Sequence, residues 1–414
     1  MGSSTTQGGA AAEARRLPPV WLMGMTNLAL GVSGAIALLI VPQLLSALHV
    51  PEPRIAQITG LALVPGFAST LAAPILDVRF SRKTYTIAFT LLGALLSALA
   101  LAFVADLAVV GWLLFASGFA VSLAVAASGG WLGSLIGQDD DSKLAAWFTV
   151  SNIAGFGLTS MVGINLIRDM PAGVGAVIAG LLVAAPAAVC LIIPGVPPDK
   201  RLASESFRQF FGDIVALVRR SEVLVTALLF GMPAASFALT NTLGGLGRDY
   251  HASEQFVALA GGAGATAAGV IGSLLVPRLA KRFPARPLYL AIGAIGAVFA
   301  LALIFAPHTP TMFAAAMAGE NVFQSAAFAT STFVIFAIMG KDNPLAATEF
   351  AVLTAAVGVP LTYMQVLDGR AYGAGGLTGA YLADGGLGLA ACGALAVLLF
   401  AISRRRRMPS NANA

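Results

Sequence analysis

Long apolar stretches separated by short polar loops run through almost the whole chain. A helix that crosses a bilayer needs about 20 predominantly apolar residues, and twelve stretches reach that length. We number them as spans in chain order. They are predicted at residues 20–46, 55–77, 84–105, 107–130, 144–167, 173–194, 222–246, 255–277, 287–306, 311–339, 347–367 and 377–402. The pattern therefore predicts an all-α polytopic membrane protein.

Composition agrees with this prediction. Hydrophobic residues make up 58% of the chain and charged residues 10%, whereas soluble domains are about half apolar and a quarter charged. The two cysteines, Cys190 and Cys392, lie in apolar stretches and predict core packing. The three histidines are far apart in sequence. We therefore expect no disulfide, no metal site and no enzymatic cluster.

Basic residues are sorted between alternate loops. With the N-terminus inside, twenty of the 24 Lys and Arg residues fall in inner segments. An excess of this size predicts that both termini are cytoplasmic. The charge of +5 is explained by this sorting, so we expect no nucleic-acid partner.

The longest polar interruption lies near the middle of the chain and contains the amphipathic stretch SFRQFFGDIVALVRR. It divides the chain into two pseudo-symmetric halves of six helices, and basic loops follow spans 2 and 8 in register. The predicted domains are a cytoplasmic tail (1–19), an N-terminal half (20–194), a linker with an interfacial helix (195–221), a C-terminal half (222–402) and a basic tail (403–414).

The loop after span 2, from Asp77 to Lys83, carries an acid followed by basic residues. With the two six-span halves, it resembles the cytoplasmic signature of the major facilitator superfamily, although the usual Gly before the basic pair is missing. Pro277 stands where the second copy would have its Asp. The resemblance implies a fold in which two halves rock around a central site.

Other stretches resemble the branch that holds AmpG-type muropeptide permeases, acetyl-CoA transporters and the RhtX/FptX siderophore permeases. They are Gly130-Trp131-Leu132, PAASFALTNTLGGLGRDYHASE (233–254), ATEFAVL (347–353) and the Asp368-Gly369 and Gly375-Gly376 pairs. The chain lacks room for the two extra helices of AmpG-type members, so it resembles the siderophore permeases most. This implies a monomeric inner-membrane importer of a (ferri-)siderophore such as pyochelin, linked functionally to an outer-membrane receptor. A muropeptide permease and a non-transporting membrane sensor are the alternatives.

The resemblance further implies that spans 1, 4, 7 and 10 line a central cavity. Polar and aromatic side chains on these spans and on spans 5 and 11 are candidate substrate contacts. They are Asn27, Asn152, Phe237, Thr240, Asn241, Asn321, Phe323, Gln324, Tyr363 and Gln365. Each polar one could instead form a hydrogen bond between helices. No Lys or Arg falls inside the predicted spans, so we expect a compact, weakly charged ligand.

Glu320 lies within the otherwise apolar span 10. A carboxylate at this depth costs about 3 kcal/mol on insertion scales, so we expect it to face a cavity or a translocation path. It could carry a proton, with the proton gradient as energy source and no other cofactor, or it could accept a hydrogen bond from substrate. Asp384 is the second candidate carrier, although a local pair with Arg370 is also expected.

A gate is predicted at the inner ends of the helices. Asp77 is expected near the N-terminus of span 11, where a carboxylate is favoured by the helix dipole. Arg79 or Arg82 is expected to pair with Glu349 across the two halves. The run Asp139-Asp140-Asp141 is expected to form a solvated turn or to cap span 5, and Pro233 is expected to kink span 7.

Overall fold

In the computed structural model, residues 17–196 and 207–407 are described, and they form a bundle of helices. The predicted tails, and the linker before residue 207, lie largely outside these residues. Nine helices of the described part are long and apolar enough to cross a bilayer. The chain is therefore a multi-pass membrane protein.

The observed spans follow the apolar pattern. The first six are Val20–Ala47, Glu52–Asp77, Arg82–Ala102, Leu107–Leu135, Asp141–Asp169 and Ala172–Ile192. Span 7 begins with Ser221–Gly231, and spans 8 to 10 are Glu254–Ala280, Ala285–Leu303 and Pro310–Met339. The helical segment Ala346–Arg407 contains spans 11 and 12. The predicted all-α fold with twelve spans in two halves is confirmed.

Short polar side chains begin several spans by accepting hydrogen bonds from the first free backbone amides. Ser81 accepts from the amide of Thr84 at the start of span 3, and Asp106 accepts from two amides at the start of span 4. Thr309 caps span 10 through the amide of Met312. These caps fix the start of helices whose apolar sequences alone leave the ends undefined.

Spans 11 and 12 are joined by a reversal at Gly375 and Gly376. Gly376 has a φ of 58°, in the left-handed region that favours glycine. Span 11 therefore extends to residue 374, beyond its predicted end at residue 367. Asp368 consequently lies inside a helix and not in a loop.

Span 7 departs most from the predicted continuous helix. After Ser221–Gly231 it continues as three short 3₁₀ segments, Pro233–Ala235, Ala238–Asn241 and Leu243–Tyr250. Pro233 lacks an amide hydrogen and disfavours helical geometry at Met232, which is extended. Phe237 adopts a left-handed conformation with a φ of 47°. We call this region the span 7 break.

The two halves meet along two seams. Span 5 packs against spans 8 and 10, and spans 2 and 4 pack against span 11. We call the end of the bundle that carries Arg82, Lys341 and Arg286 the basic end. The reversal at Gly375 lies at the other end, which we call the distal end.

The linker helix, Phe207–Arg219, precedes span 7 and is strongly amphipathic, with Val215 and Val218 exposed. Its end is fixed by Arg220, which donates to the carbonyl of Ile338 at 2.8 Å. The linker is thereby attached to the C-terminal half at the basic end.

Candidate functional site

Asp77, at the end of span 2, joins the two halves at the basic end. Its Oδ1 accepts from Arg82 Nε at 2.7 Å and from the backbone amide of Ala347 at 3.1 Å. Its Oδ2 accepts from the amide and the hydroxyl of Thr348, at 2.9 and 2.7 Å. A carboxylate of the N-terminal half therefore caps span 11 of the C-terminal half, as predicted from the helix dipole.

Arg82 extends this contact across the halves. Its Nη2 donates to the carbonyl oxygens of Asn343 and Pro344, at 3.1 and 2.8 Å. The predicted pair between Arg82 and Glu349 is absent from the described contacts. Arg82 reaches the loop before span 11 because Asp77 holds its Nε and orients the guanidinium.

Glu349 pairs with Arg220, at the end of the linker, so its predicted pairing with Arg79 or Arg82 across the halves is wrong. Arg220 Nη2 lies 3.2 Å from Glu349 Oε1, and Asn343 Nδ2 donates to Oε2 at 2.6 Å. Arg79, the other predicted partner, is exposed and lies over the ring of Phe80. The sequence did not show that Arg220, and not Arg79 or Arg82, is the basic residue beside this carboxylate.

Lys341 forms a second bridge between the halves. Its Nζ donates to the carbonyl of Gly133 at 2.9 Å and to Asp141 Oδ1 at 3.1 Å. Asp141 is almost fully buried, so the solvated turn expected for this residue is wrong. Asp140, its neighbour, does pair at the surface, with Lys143.

Small and aromatic residues close the space between these bridges. A Cβ added at Gly130 would lie 2.6 Å from the backbone nitrogen of Ala347, so spans 4 and 11 touch through their backbones. The rings of Phe148, Phe336 and Phe350 form a cluster with centroids 5.7 to 6.4 Å apart. We call the bridges, this helix contact and the ring cluster together the seal.

A cavity of about 340 Å³ lies between the halves on the distal side of the seal. Phe350 belongs to both the seal and the cavity wall, and the predicted residues Asn241 and Gln365 also line it. The remaining lining is apolar or uncharged and comes from spans 1, 2, 4 and 11. It comprises Leu30, Leu63, Gly66, Phe67, Ser69, Ser122, Val125, Ala126, Ala351, Thr354, Ala355, Gly358, Leu361 and Thr362.

A second cavity, of about 280 Å³, adjoins the first and lies among spans 1, 2, 4 and 5. Leu30, Leu63, Gly66 and Ser122 line both. The predicted residue Asn152 lines the second cavity, next to Phe156. Spans 2 and 11 thus contribute more to these cavities than span 10, whose residues line neither.

Several predicted substrate contacts instead support the span 7 break. Gln324 Nε2 donates to the carbonyl of Phe237 at 3.0 Å, and the Tyr363 hydroxyl donates to the carbonyl of Gly231 at 3.0 Å. Cys392 donates to the carbonyl of Ala234 at 3.0 Å. A broken helix leaves carbonyl groups without partners, and in a bilayer they must be satisfied within the protein.

The remaining predicted contacts are also held internally. Asn27 Nδ2 donates to the carbonyl of Phe148, and Asn321 Nδ2 donates to the carbonyl of Met317. Phe323 stacks on Phe237, with ring centroids 6.1 Å apart. Their roles in substrate binding stay predictions, since these side chains line neither cavity in this conformation.

Three carboxylates, Glu320, Asp368 and Asp384, are buried inside the C-terminal half, and we call them the carboxylate trio. Their exposed fractions are 0%, 2% and 5%. Both oxygens of Glu320, both of Asp368 and Oδ1 of Asp384 have no hydrogen-bond partner. Their charges interact with one another. In the described part of the chain, no Lys or Arg forms an ion pair with them.

Backbone geometry places Asp368 and Asp384 at similar distances from the distal end. Asp368 and Asp384 lie about two helical turns from the reversal at Gly375, on spans 11 and 12. Glu320 lies about 15 Å along span 10 from its distal start. The expected local pair of Asp384 with Arg370 is absent from the described ion pairs, because Asp384 faces the interior.

The trio has polar neighbours on the span 7 break. The 3₁₀ segment Ala238–Asn241 packs against the helical segment that carries Asp368 and Asp384. The Thr240 hydroxyl lies beside Glu320, although it forms no hydrogen bond of regular geometry. On the distal side, Tyr250 and Tyr381 share a buried hydrogen bond of 2.8 Å.

Several of these groups were not predicted from the sequence. Asp368 stood just past a predicted span end, and Tyr250 stood in a predicted loop. Lys341 and Arg220 were counted only as basic loop residues. The signal that could have identified Asp368 is the apolar character of residues 371–374, which continues the helix to the glycine pair.

Metal ligands are not grouped in the described residues. No three His, Cys, Asp or Glu side chains there are arranged to hold an ion.

Solved structures with a similar fold are transporters. The major facilitator superfamily transporter FucP of E. coli, in its outward conformation, is 17% identical, with a TM-score of 0.69 over 92% of this chain and 98% of FucP. The proton:xylose symporter XylE is 14% identical, with a TM-score of 0.66 over 90% of this chain and 93% of XylE.

A bacterial homologue of the iron transporter ferroportin, in an outward-facing state, is 14% identical, with a TM-score of 0.62 over 94% of this chain and all of that one. No family model and no curated protein sequence matches the chain. At these identities the likeness concerns the fold alone. The chain therefore has the twelve-helix fold of the major facilitator superfamily transporters.

Proposed function

We propose that this protein is a secondary transporter that moves a compact, weakly charged solute by alternating access. The observation that carries the proposal is the cavity between the halves, which ends at a seal made of breakable polar bridges and ring contacts. The halves are joined at one end and enclose space at the other. Rocking of one half against the other would open the seal and expose the same cavity to the other side.

The basic end is proposed to be cytoplasmic, in a bacterial inner membrane. The sorting of Lys and Arg supports this orientation. In that orientation the structure is closed to the cytoplasm, in keeping with its likeness to FucP and the ferroportin homologue in outward states. Solute would then enter the cavity from the periplasm.

The cavity walls support a solute that carries little charge. The lining holds Ser, Thr, Asn and Gln side chains among apolar ones, with no ionisable side chain. A site for a phosphate-rich or multiply charged ligand would be expected to offer Arg or Lys. A siderophore of the pyochelin type, aromatic and compact, is the candidate substrate that follows from the sequence resemblance.

Proton coupling is proposed through Glu320. The carboxyl is fully buried without a hydrogen-bond partner, and a buried carboxylate without a cation is unstable unless it binds a proton. FucP and XylE, which share the fold, are proton symporters. Those two carry sugars and the third similar structure is a homologue of an iron transporter, so the fold alone selects no substrate.

Uptake by reconstituted protein tests this proposal. Ferric pyochelin with radioactive iron is added to proteoliposomes with and without an inward proton gradient. We expect accumulation only with the gradient, and exchange of labelled for unlabelled solute without it. Binding without exchange would indicate the alternative of a membrane sensor.

The variant Glu320→Gln separates coupling from binding. We expect gradient-driven uptake to fall at least tenfold, while exchange persists, because the amide cannot release a proton. Glu52→Gln, at an exposed carboxylate of span 2, is the matched control and should change neither. Full gradient-driven uptake by Glu320→Gln would exclude this carboxyl as the proton carrier.

Substrate identity is tested by competition. Iron-free and iron-loaded pyochelin should compete with labelled uptake, and anhydro-sugar peptides should not. Competition by anhydro-sugar peptides alone would support the alternative, a muropeptide permease of the AmpG type.

A further inference from the structure

The second cavity adjoins the cavity between the halves, which we call the central cavity, at four shared residues: Leu30, Leu63, Gly66 and Ser122. The two volumes, about 340 and 280 Å³, are each at the small end of the range for ligand pockets, roughly 300–1,000 Å³, and together they lie well inside it. The space therefore has two arms, one between the halves and one within the N-terminal half.

Gly66 stands at the junction of the two cavities. It follows Pro65 on span 2, where the helix is interrupted between Leu63 and Pro65. A Cβ built on Gly66 meets no heavy atom of the described residues within 4 Å. A side chain here would project into open space instead of packing against the protein, so the glycine keeps the junction open.

Phe156, on span 5, offers an unstacked ring to the second cavity. The ring lies against Gly34 of span 1, where an added Cβ would be 3.5 Å from Phe156 Cδ2. It forms no ring contact with another described aromatic side chain, unlike the stacked rings of Phe237 and Phe323. A second aromatic ring in this cavity would gain an offset or edge-to-face contact that no protein group provides.

Asn152 lies one turn before Phe156 on the same face of span 5 and also lines the second cavity. Its side chain forms no hydrogen bond with another described residue. Ser33, in the same cavity, instead donates to the carbonyl of Leu30. Polar side chains within a bilayer normally find a partner in the protein. Span 5 therefore presents a ring and an unpaired amide side by side.

We propose that the second cavity is a subsite for an aromatic arm of the transported solute. The arm stacks on Phe156 and forms a hydrogen bond with Asn152, while the body of the solute occupies the central cavity beside Asn241 and Gln365. The solute class is thus a weakly charged molecule with a polar body and a terminal ring that carries a hydrogen-bonding group. The role in transport rests on the proposed function, but the preference of the second cavity for such a ring does not.

A thiol beside Phe156 tests the subsite without knowledge of the solute. Gly34→Cys, in a cysteine-free background of the full-length protein, is treated with benzyl methanethiosulfonate, and mass spectrometry gives the initial rate. Phenol and cyclohexanol, which are similar in size and carry one hydroxyl each, should both slow the reaction. We expect phenol to bind about threefold more tightly, because a ring–ring contact favours it. Gly60→Cys, on span 2 and outside both cavities, is the control thiol and should be protected by neither.

Three variants separate the parts of the subsite. Phe156→Leu should make phenol and cyclohexanol equal, since only the ring contact distinguishes them. Asn152→Leu should weaken both about fivefold, through the loss of one hydrogen bond. Gly66→Leu should fill the junction and largely abolish the reaction at Gly34→Cys. Gly60→Leu, at an equally open glycine of the same span, should leave the rate unchanged. If Phe156→Leu does not fold, the difference between the two alcohols in Gly34→Cys itself decides.

Equal protection by phenol and cyclohexanol in Gly34→Cys, or an unchanged rate in Gly66→Leu, would overturn the proposal. Loss of labelling when detergent is replaced by phospholipid nanodiscs would also overturn it, because a lipid tail would then fill the cavity.

Transport gives an independent readout. If the thiol results follow expectation but no solute is transported, the proposed function fails and the subsite stands. If a proton gradient drives uptake of ferric pyochelin and Gly66→Leu leaves the KM unchanged, the second cavity lies outside the solute site and the proposal fails.

Discussion

Three carboxylates are buried in or beside the seal and three in the carboxylate trio, yet the two sets have opposite surroundings. At the basic end, Asp77, Asp141 and Glu349 each have side chains no more than 3% exposed, and each lies within 3.2 Å of a Lys or Arg nitrogen. The trio is buried to the same degree without a cation among the described ion pairs. Burial alone therefore does not tell a carboxylate that is paired with a cation from one that is not.

Buried carboxylates thus occur in two kinds of surroundings within one fold, with a cation at the seal and without one in the trio. In the seal, each carboxylate lies beside a cation, so its contact can be broken when the two halves separate. In the trio, no carboxylate is paired with a cation among the described residues, which suits the proposed proton coupling. Substitutions at the two sets should consequently differ in both size and kind.

The largest effect is expected at Asp77. Asp77→Asn removes the charge that holds Arg82 and caps span 11, and leaving a buried charge without its partner costs about 3 kcal/mol. Because only the closed seal uses this contact, the equilibrium should move about a hundredfold toward the state open at the basic end. Spin labels on Gln138→Cys and Asp342→Cys, in a cysteine-free background, should report a longer distance.

The matched control is Asp106→Asn. Asp106 accepts from two amides at the distal start of span 4, and Asn caps a helix about as well as Asp. The label distance should be unchanged. An equal change of the label distance in both variants would show that the distance responds to any loss of stability and does not report opening of the seal.

A smaller effect is expected at Lys341, whose side chain is 31% exposed. Lys341→Gln keeps a donor for the Gly133 carbonyl but removes the ion pair with Asp141, a loss of about 1 kcal/mol at a partly exposed site. The same labels should show a roughly fivefold change in population.

Lys143→Gln is the control for this variant, since Lys143 pairs with Asp140 at the surface and not across the halves. It should leave the population unchanged. A shift as large as that of Lys341→Gln would mean that net charge at the basic end, and not the bridge, controls closure.

The smallest effect is expected at Asp368, in the trio. Asp368→Asn replaces a buried carboxyl that has no hydrogen-bond partner with a neutral group of the same shape, so the free energy of unfolding should change by less than about 1 kcal/mol. Thermal unfolding in detergent, followed by tryptophan fluorescence, measures it. A loss of about 3 kcal/mol or more would show that the Asp368 carboxyl has a partner that the amide cannot replace.

The sequence alone predicted the helices well, because a bilayer imposes a length and an apolar composition on each span. It also identified Asp77 and Glu320, whose charges are out of place in their surroundings. Each of these predictions uses the sequence of a single segment, and it does not require knowledge of which other segments pack against it.

Partners between segments could not be predicted in the same way. Glu349 was assigned to Arg79 or Arg82, while the linker brings Arg220 to it. Tyr363 and Gln324 carry polar groups that suit a ligand. In the structure these groups instead donate hydrogen bonds to carbonyls that the span 7 break leaves without helical partners. Only the packed structure shows which of several suitable partners is nearest.

The span 7 break was foreseen only as a kink at Pro233. A proline explains one lost hydrogen bond, but three successive 3₁₀ segments require carbonyl acceptors to be satisfied from spans 10, 11 and 12. That support is provided by side chains far apart in sequence, so no local pattern could predict it.

The glycine reversal between spans 11 and 12 has a consequence for the proposed transport cycle. A connection of two residues keeps the distal ends of spans 11 and 12 together, so we expect Asp368 and Asp384, each about two turns away, to move as one hairpin. A change in their distance to Glu320 would then report motion of span 10 relative to this hairpin. Distances from this hairpin to span 10 and to the span 7 break would therefore report how those two elements move.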